Sequence, residues 1–420
     1  MKKLLSILLS LTALIGLVAC TRDRNKKEFK PKLDVNTACK INVVGHYDNF
    51  EALESEFNRF NQYYPNVELT YTKLTGSYGD VILTAISSEN ENPPDIFFTQ
   101  PSYIGNSKYN PLFEVAEDLS KKDLGIDLTC IRDELLYKDN DNKVAMLPIY
   151  LSTYGMIINE DIFTRYSIQI PKTYGELISV CNRLKEVGYT YPVMGHPSMI
   201  MYPMYFPHFL AQIKGNQNAI NELNDLNPNA GEYMRSSLNL VKDFMDYGFI
   251  NYEECSGLSN DYDAVIMRFF EGDVPIMLAQ GKTVSGTEKR EKQSNTFQEH
   301  PFKYSFHPVP STNNGGYFQY EISISFSVNK NSKNLEMVNE FMRFIVSAEE
   351  LGNMSKIKRM ITPCKDMSFD DMYASLSGIE TVNVVEMNLR DAADSMIRTA
   401  GRKVCSGEMT VDDAVNSFGE

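Results

Sequence analysis

The sequence predicts an α/β fold built as two successive units. Three observations carry that prediction. Short apolar strands alternate with helices that bear one apolar stripe each. The alternation restarts after a polar turn at residues 139–143. At 420 residues the chain is long enough for two domains.

The first unit opens with a short strand at residues 41–44, followed by a loop of Gly45, His46, Tyr47, Asp48 and Asn49. Phe50, Leu53, Phe57, Phe60 and Tyr64 then recur at helical spacing, a stripe over four turns. Asp48 with Glu51 three residues later reads as a cap for that helix. Pro65 and Asn66 end it, and Val67, Leu69 and Tyr71 alternate as a strand. Val81, Ile82, Ala85 and Ile86 mark a second helix, and Pro93 and Pro94 precede a buried strand at 95–98. Sheets of this kind bind ligands in the loops beyond their strand C-termini. The loops at 46–49 and 99–103 occupy that position.

The second unit follows the apolar run 144–150. Residues 153–158 read as a strand. Thr173 and Glu176 form a capping box for a helix striped by Leu177, Val180, Cys181, Leu184 and Val187, with Gly188 past its end. A strand at 191–194 leads into a loop with His196, Pro197 and Ser198. Leu238, Val241 and Met245 mark a further helix, and 274–278 a further strand. Ile322, Ile324, Phe326 and Val328 alternate as a late strand before a helix with Leu335, Val338, Phe341, Met342 and Ile345. The tail from Val382 onward reads as helical, with a helix start at Thr410.

The N-terminus carries its own signal. Lys2 and Lys3 precede an apolar run from residue 4 to 18, shorter than the roughly 20 residues of a membrane span. The run ends in Leu17, Val18, Ala19 and Cys20, which resembles the lipobox of bacterial lipoproteins. That resemblance implies a signal peptide over residues 1–20 and lipidation of Cys20, with several acyl chains holding the protein to the cell membrane. Residues 21–38 are polar and rich in Lys and Arg, and read as a flexible tether. The net charge of −14 argues against nucleic acid as partner. The six cysteines after Cys20 are widely spaced, with no Cys-x-x-Cys pair, so no zinc ribbon is indicated. Export permits disulfides without specifying any.

Several stretches, taken in order, resemble the family 1 extracellular solute-binding proteins, the maltose-binding-protein-like sugar receptors of ABC importers. They are the strand, loop and helix at 41–64 ending near Tyr64-Pro65-Asn66-Val67; Pro93-Pro94-Asp95-Ile96-Phe97-Phe98; Pro111-Leu112-Phe113-Glu114; Lys143-Val144-Ala145-Met146-Leu147-Pro148; Ile158-Asn159-Glu160-Asp161-Ile162-Phe163; Phe270-Glu271-Gly272-Asp273-Val274-Pro275; and Asn329-Lys330-Asn331-Ser332-Lys333-Asn334. Their colinear order carries the resemblance, which covers nearly all of the chain beyond the tether. It implies a two-lobed, periplasmic-binding-protein-like fold with discontinuous lobes joined by a hinge: lobe one at 39–149 and 311–358, lobe two at 150–310 and 359–420. It further implies a monomer outside the cytoplasm that binds a small carbohydrate between its lobes and docks on ABC permease subunits. No cofactor, metal or enzymatic step is implied. The chain departs from the family in having no Trp; Gly281-Lys282-Thr283 stands where relatives often have Gly-x-Trp.

A sugar offers apolar faces and a rim of hydroxyls, so its receptor needs aromatic platforms and directional polar groups. Without Trp, the 24 Tyr and 23 Phe must supply the platforms. Loop position selects the candidates. They are His46, Tyr47 and Asp48; Thr99, Gln100 and Ser102; Tyr150 and Tyr154; His196, Ser198 and Tyr202; Lys282 and Thr283; and Gly316 and Tyr317. Each could instead be a solvated loop group or a packing residue. Other motifs fail. A P-loop ending at Lys282-Thr283 would need Gly where Ile276 stands. An EF-hand starting at Asp139 would need Gly at Val144 and Glu at Tyr150. The rival readings are a receptor for a polyamine, iron or a peptide, and a surface glycoside hydrolase with paired carboxylates.

Overall fold

The computed structural model describes residues 28–420 except 48, 49, 88, 89, 105, 140, 196–200, 259–261, 367, 368 and 370, and also leaves aside the side chains of 201, 262, 280–282, 385 and 386. Asp48, His196, Ser198, Cys20 and the Lys282 side chain therefore lie outside the described residues.

Strands β1 (Cys39–Gly45), β2 (Val67–Lys73) and β3 (Ile96–Thr99) alternate with helices α1 (Glu51–Phe60) and α2 (Tyr78–Ala85). β1 pairs with β2 and β3 in parallel, as the strand–helix alternation requires. The apolar stripe of α1 is buried through Leu53, Phe57 and Phe60. α1 starts at Glu51, with Phe50 at the cap position and no side-chain cap bond, and the cap expected from Asp48 falls on a residue outside those described. Phe50 is buried among Phe98, Tyr71 and Tyr150 at the start of the helix.

The organising strand is β4 (Leu147–Asn159), all thirteen of whose residues are buried. The sequence reading recovered only its second half. Its first half pairs with β8 (Phe318–Val328) and its second half with β6 (Ile276–Gln280) and β7 (Tyr304–His307), so it belongs to two sheets at once. Register slips between Pro148 and Leu151, which is where a proline can sit in an interior strand. Beyond β4 lie α3 (Tyr174–Glu186), with its Thr173–Glu176 capping box, and β5 (Val193–Met194). Then come α4 (Phe206–Ile213), α5 (Arg235–Asp246), β6 (Ile276–Gln280), α6 (Gly281–Gln293) and β7 (Tyr304–His307). The strand order is β2-β1-β3-β8-β4-β6-β5, with β7 on β4 and β9 (Thr381–Asn383) on β8.

β8 (Phe318–Val328) returns antiparallel between β3 and β4. Helices α7 (Leu335–Ile345) and α8 (Ala348–Ile357) then pack beside α1. There Glu56 is fully buried, and Arg59 reaches Glu350 at 2.6 Å and Glu349 at 3.4 Å. The tail departs from the all-helical expectation. Thr381–Asn383 forms β9, parallel to the start of β8, with Val382 and Asn383 buried there. Only then do α9 (Asp391–Ser406) and α10 (Val411–Asn416) follow and pack on α5.

Residues 28–33, within the stretch 21–38 read as a flexible tether, are held against this body. The Phe29 ring meets Phe344 and Tyr63 edge-on, with the Arg343 guanidinium 4.2 Å from its centre. The Lys32 backbone N–H donates to Glu340 at 2.8 Å.

Candidate functional site

Two groups of side chains meet along the β4–β8 pair. On β8, Ser323 and Glu321 are two residues apart, hence on one face and about 7 Å from each other. The fully or partly apolar alternates Ile322 and Ile324 point the other way into the core. Ser323 and Glu321 each anchor one group.

The first group gathers around Tyr47. Its backbone N–H donates to the Tyr71 hydroxyl, which donates back to the Tyr47 carbonyl, both at 3.0 Å. The Tyr47 phenol meets the side chains of Ser323 and Tyr150. Burial pushes its pKa up, and those two hydroxyls offset part of the rise. Tyr150 is fully buried, and burial likewise holds its phenol neutral. The His46 ring lies 4.6 Å from Tyr47 and 5.1 Å from Tyr78. Gly45 permits this crowding: a Cβ there would fall 2.4 Å from the Phe98 ring. The first group is thus largely aromatic and closely packed.

The second group is aromatic and charged. Tyr154 donates to Glu321 at 2.7 Å, and its ring stacks on Tyr202 at 5.3 Å with 21° between planes. The Arg398 guanidinium lies over the Tyr202 ring at 5.1 Å and the Phe206 ring at 3.9 Å, while its Nε donates to Asp394 at 2.6 Å. Burial works against the Arg398 charge, but Asp394 and Glu321 outweigh it and hold its pKa above the ordinary value. The Tyr154 phenol is driven well up, first by burial and then by Glu321. Burial, and then the charge of Glu321, raises the pKa of Tyr137. Gln319 lies two residues before Glu321 on the same face. It is fully buried, and neither its amide nitrogen nor its amide oxygen has a hydrogen-bond partner among the described residues.

The structure therefore brings together His46, Tyr47 and Tyr150 on one side and Tyr154 and Tyr202 on the other. Other residues selected from the sequence are placed elsewhere. Thr99 is fully buried within the sheet, its hydroxyl 2.8 Å from that of Ser327, so it packs rather than faces a ligand. Thr283 is buried in the first turn of α6. Ser102 is exposed on a 3-10 turn, and Gln100, half-buried, caps that turn without a side-chain bond. Gly316 is required by packing, since a Cβ would come 2.3 Å from the Val309 carbonyl oxygen. Tyr317 is half-buried, its ring 6.4 Å from that of His208.

Sequence reasoning missed Gln319, Glu321, Ser323, Tyr137 and Arg398. For the β8 residues a signal existed: the polar alternates of the same strand whose apolar alternates were read. For Arg398, one cation among many on an amphipathic helix, no local signal existed.

The Arg398–Asp394 link and the stacked tyrosines set one partly exposed ring, Tyr202, beside polar groups, while the unpaired Gln319 amide is fully buried. They form no nucleophile–base pair. The sequence matches the family described as bacterial extracellular solute-binding protein over residues 45–351. A search of curated proteins finds no match. Among solved structures, the chain is similar to the apo-form of RafE from Streptococcus pneumoniae, at 16% identity and TM-score 0.67, covering 91% of this chain and 97% of that one. It is similar to RafE in complex with raffinose, at 17% identity and TM-score 0.66, covering 91% and 99%. It is also similar to the GacH receptor of Streptomyces glaucescens, described unliganded and with acarbose, at 15% identity and TM-score 0.66, covering 91% and 97%. At these identities the likeness shows the fold, which is two-lobed and of the periplasmic-binding-protein type. Family and fold are those of binding proteins, and the family's location is extracytoplasmic. With most of its length matched and a two-sheet body joined through β4, this chain belongs to the bacterial extracellular solute-binding proteins.

Proposed function

We propose that the protein captures a small carbohydrate between its lobes and delivers it to an ABC importer. Lobe one takes residues 39–149 and 311–358, and lobe two takes 150–310 and 359–420. β4, shared by both sheets, then crosses from one lobe to the other, and the β4–β8 pair forms the floor between them. Residues 1–20 are a lipoprotein signal peptide, and lipid on Cys20 keeps the protein, a monomer, at the cell membrane beside its permease.

The observation that carries the carbohydrate reading is the Tyr154–Tyr202 stack with Arg398 behind it and Glu321 and Gln319 alongside. An aromatic face takes the apolar side of a sugar ring, and the carboxylate and amide take its hydroxyls. Raffinose and acarbose, the ligands of RafE and GacH, are oligosaccharides, in keeping with this reading.

Thermal-shift measurement of the mature protein against mono- and oligosaccharides tests it. A ligand at a hundredfold excess over its Kd stabilises by about 2.7 kcal/mol, a clear rise in Tm. At least one carbohydrate should give that rise. A shift with polyamines or iron and none with any sugar would replace the carbohydrate reading.

A further inference from the structure

Two cysteines that neither the solute-binding reading nor the proposed site uses are placed side by side. Cys130 ends a 3-10 turn, Leu128–Cys130, and Cys364 lies in the segment that leads from α8 toward β9. The backbones on either side are tied. Ile131 stands opposite Cys364 in an antiparallel bridge; the Lys365 N–H donates to the Cys130 carbonyl at 2.8 Å, and the Arg132 N–H to the Pro363 carbonyl at 3.1 Å. In such a pair the facing Cα atoms are about 4.5 Å apart, so Cys130, one residue along, has its Cα roughly 6 Å from that of Cys364. That lies within the range of roughly 4.4–6.8 Å that a disulfide spans. In a regular strand Cys130 would point away from the face that Cys364 uses. Because it closes a helical turn instead, the strict alternation does not hold.

We propose that Cys130 and Cys364 form a disulfide in the secreted protein, a clasp between the 128–135 loop and the chain segment at 359–365. The thiols already interact: a hydrogen bond between them favours the thiolate at Cys364 and disfavours it at Cys130. Access is asymmetric. Cys130 is half-exposed, its thiol donating to the Asp127 carbonyl at 3.4 Å, whereas Cys364 is buried. A disulfide-bearing oxidant therefore meets Cys130 first. The Cys130 sulfur attacks one oxidant sulfur, and the released thiolate takes up the Cys130 proton. The Cys364 thiolate then attacks the Cys130 sulfur, expelling the second oxidant thiolate, which takes up the Cys364 proton. Two protein thiols are oxidised to one disulfide and one oxidant disulfide is reduced to two thiols. The extracytoplasmic location of the family is one in which such bonds form and persist.

The clasp lies at a structurally informative place. Ile361, three residues before Cys364, exchanges two backbone hydrogen bonds with Leu151 of β4. Beyond Cys130, Arg132 and Glu134 reach the Tyr320 hydroxyl of β8, at 3.4 and 2.8 Å. The bond would close this set of contacts covalently around the β4–β8 pair.

The full mature chain is incubated with mixed oxidised and reduced glutathione, alkylated in denaturant before and after reduction, and mapped by peptide mass spectrometry. The expected result is a linked peptide pair containing Cys130 and Cys364. In C130S, Cys364 becomes alkylated without reduction, and in C364S Cys130 does. Reduction should lower the Tm of the wild-type chain by roughly 3–8 °C and leave the C130S/C364S double variant unmoved. Complete alkylation of Cys130 and Cys364 in the unreduced chain, or a bond from either to another sulfur, would overturn the proposal. Sugar binding is not read in this experiment, so its outcome is independent of the carbohydrate reading.

Discussion

Arg59 and Arg398 each sit among carboxylates, yet the two surroundings serve opposite ends. Arg59, on α1, faces Glu350, Glu349 and Glu56, three acids to one base. The surplus is relieved by a proton. Burial first, and then the neighbouring Glu350, push Glu56 up to about 9. A neutral Glu56 can donate to Glu350, and the cluster closes on itself between α1 and α8. Arg398, on α9, faces Asp394 and Glu321, and its remaining surface is spent on the Tyr202 and Phe206 rings. One cluster fastens two helices. The other holds an aromatic face in place beside unspent polar groups. A buried ion pair alone therefore does not mark a site; what its cation does with the rest of its surface distinguishes the two.

Removing each arginine separates these roles. Arg398→Ala leaves Asp394 and Glu321 without their cation and withdraws support from the Tyr202 ring. It should cost about 3 kcal/mol of stability and weaken sugar binding roughly 100-fold. Arg59→Ala leaves Glu350 unpaired in a buried position and should cost about 2 kcal/mol, with the affinity of the folded protein unchanged. Urea unfolding and titration calorimetry on both variants make the comparison. Equal losses of affinity would erase the distinction between the clusters.

How far the sequence reveals this depends on periodicity. The stripes of α1, α3 and α7 and the parallel β1–β3 order are written in local repeats, and residues such as Leu53, Leu184 and Phe341 are buried as their spacing implies. Tyr47, Tyr150 and Tyr154 were selected from the sequence as following or flanking a strand, and Tyr202 from a loop expected after a strand, although it lies in the helical turn Met201–Tyr205. Thr99 looked identical by that criterion, but its hydroxyl is taken by Ser327 from a strand 228 residues later. Glu321 and Arg398 acquire meaning only from partners 167 residues away or from rings on another helix. Short-range patterns carry the scaffold; long-range pairing decides which polar groups remain available. β9 was missed for the same reason, since its pairing with β8 is not a local property of residues 381–383.

Tyr202 tests whether the Arg398 effect runs through the ring. It is half-buried and stacks on Tyr154, so Tyr202→Ala removes the platform while disturbing little of the core. Affinity for the sugar should fall by roughly 10–30-fold, with a stability change of about 1 kcal/mol or less. Tyr202→Phe keeps the ring and should bind within a few-fold of the original. A Phe variant as weak as the Ala variant would show that the hydroxyl, rather than the face, makes the contact.

Glu56 offers the sharpest sign. In the unfolded chain its carboxyl titrates near the ordinary glutamate value; in the folded chain it keeps its proton to about 9. Between those values the folded state binds a proton that the unfolded state has lost. Stability from this group is thus complete below about pH 4.5 and is lost as pH rises through the folded value. Glu56→Gln replaces the neutral acid by a neutral amide of the same shape and removes the proton linkage. Urea-unfolding stabilities of the two proteins should therefore lie closest at pH 5, and the gap should widen in favour of the variant as pH rises toward 9. Parallel midpoints across that range would mean that Glu56 is ionised in the folded protein. Arg59 would then be balancing three charges, and its cluster would resemble the Arg398 cluster more closely than its packing suggests.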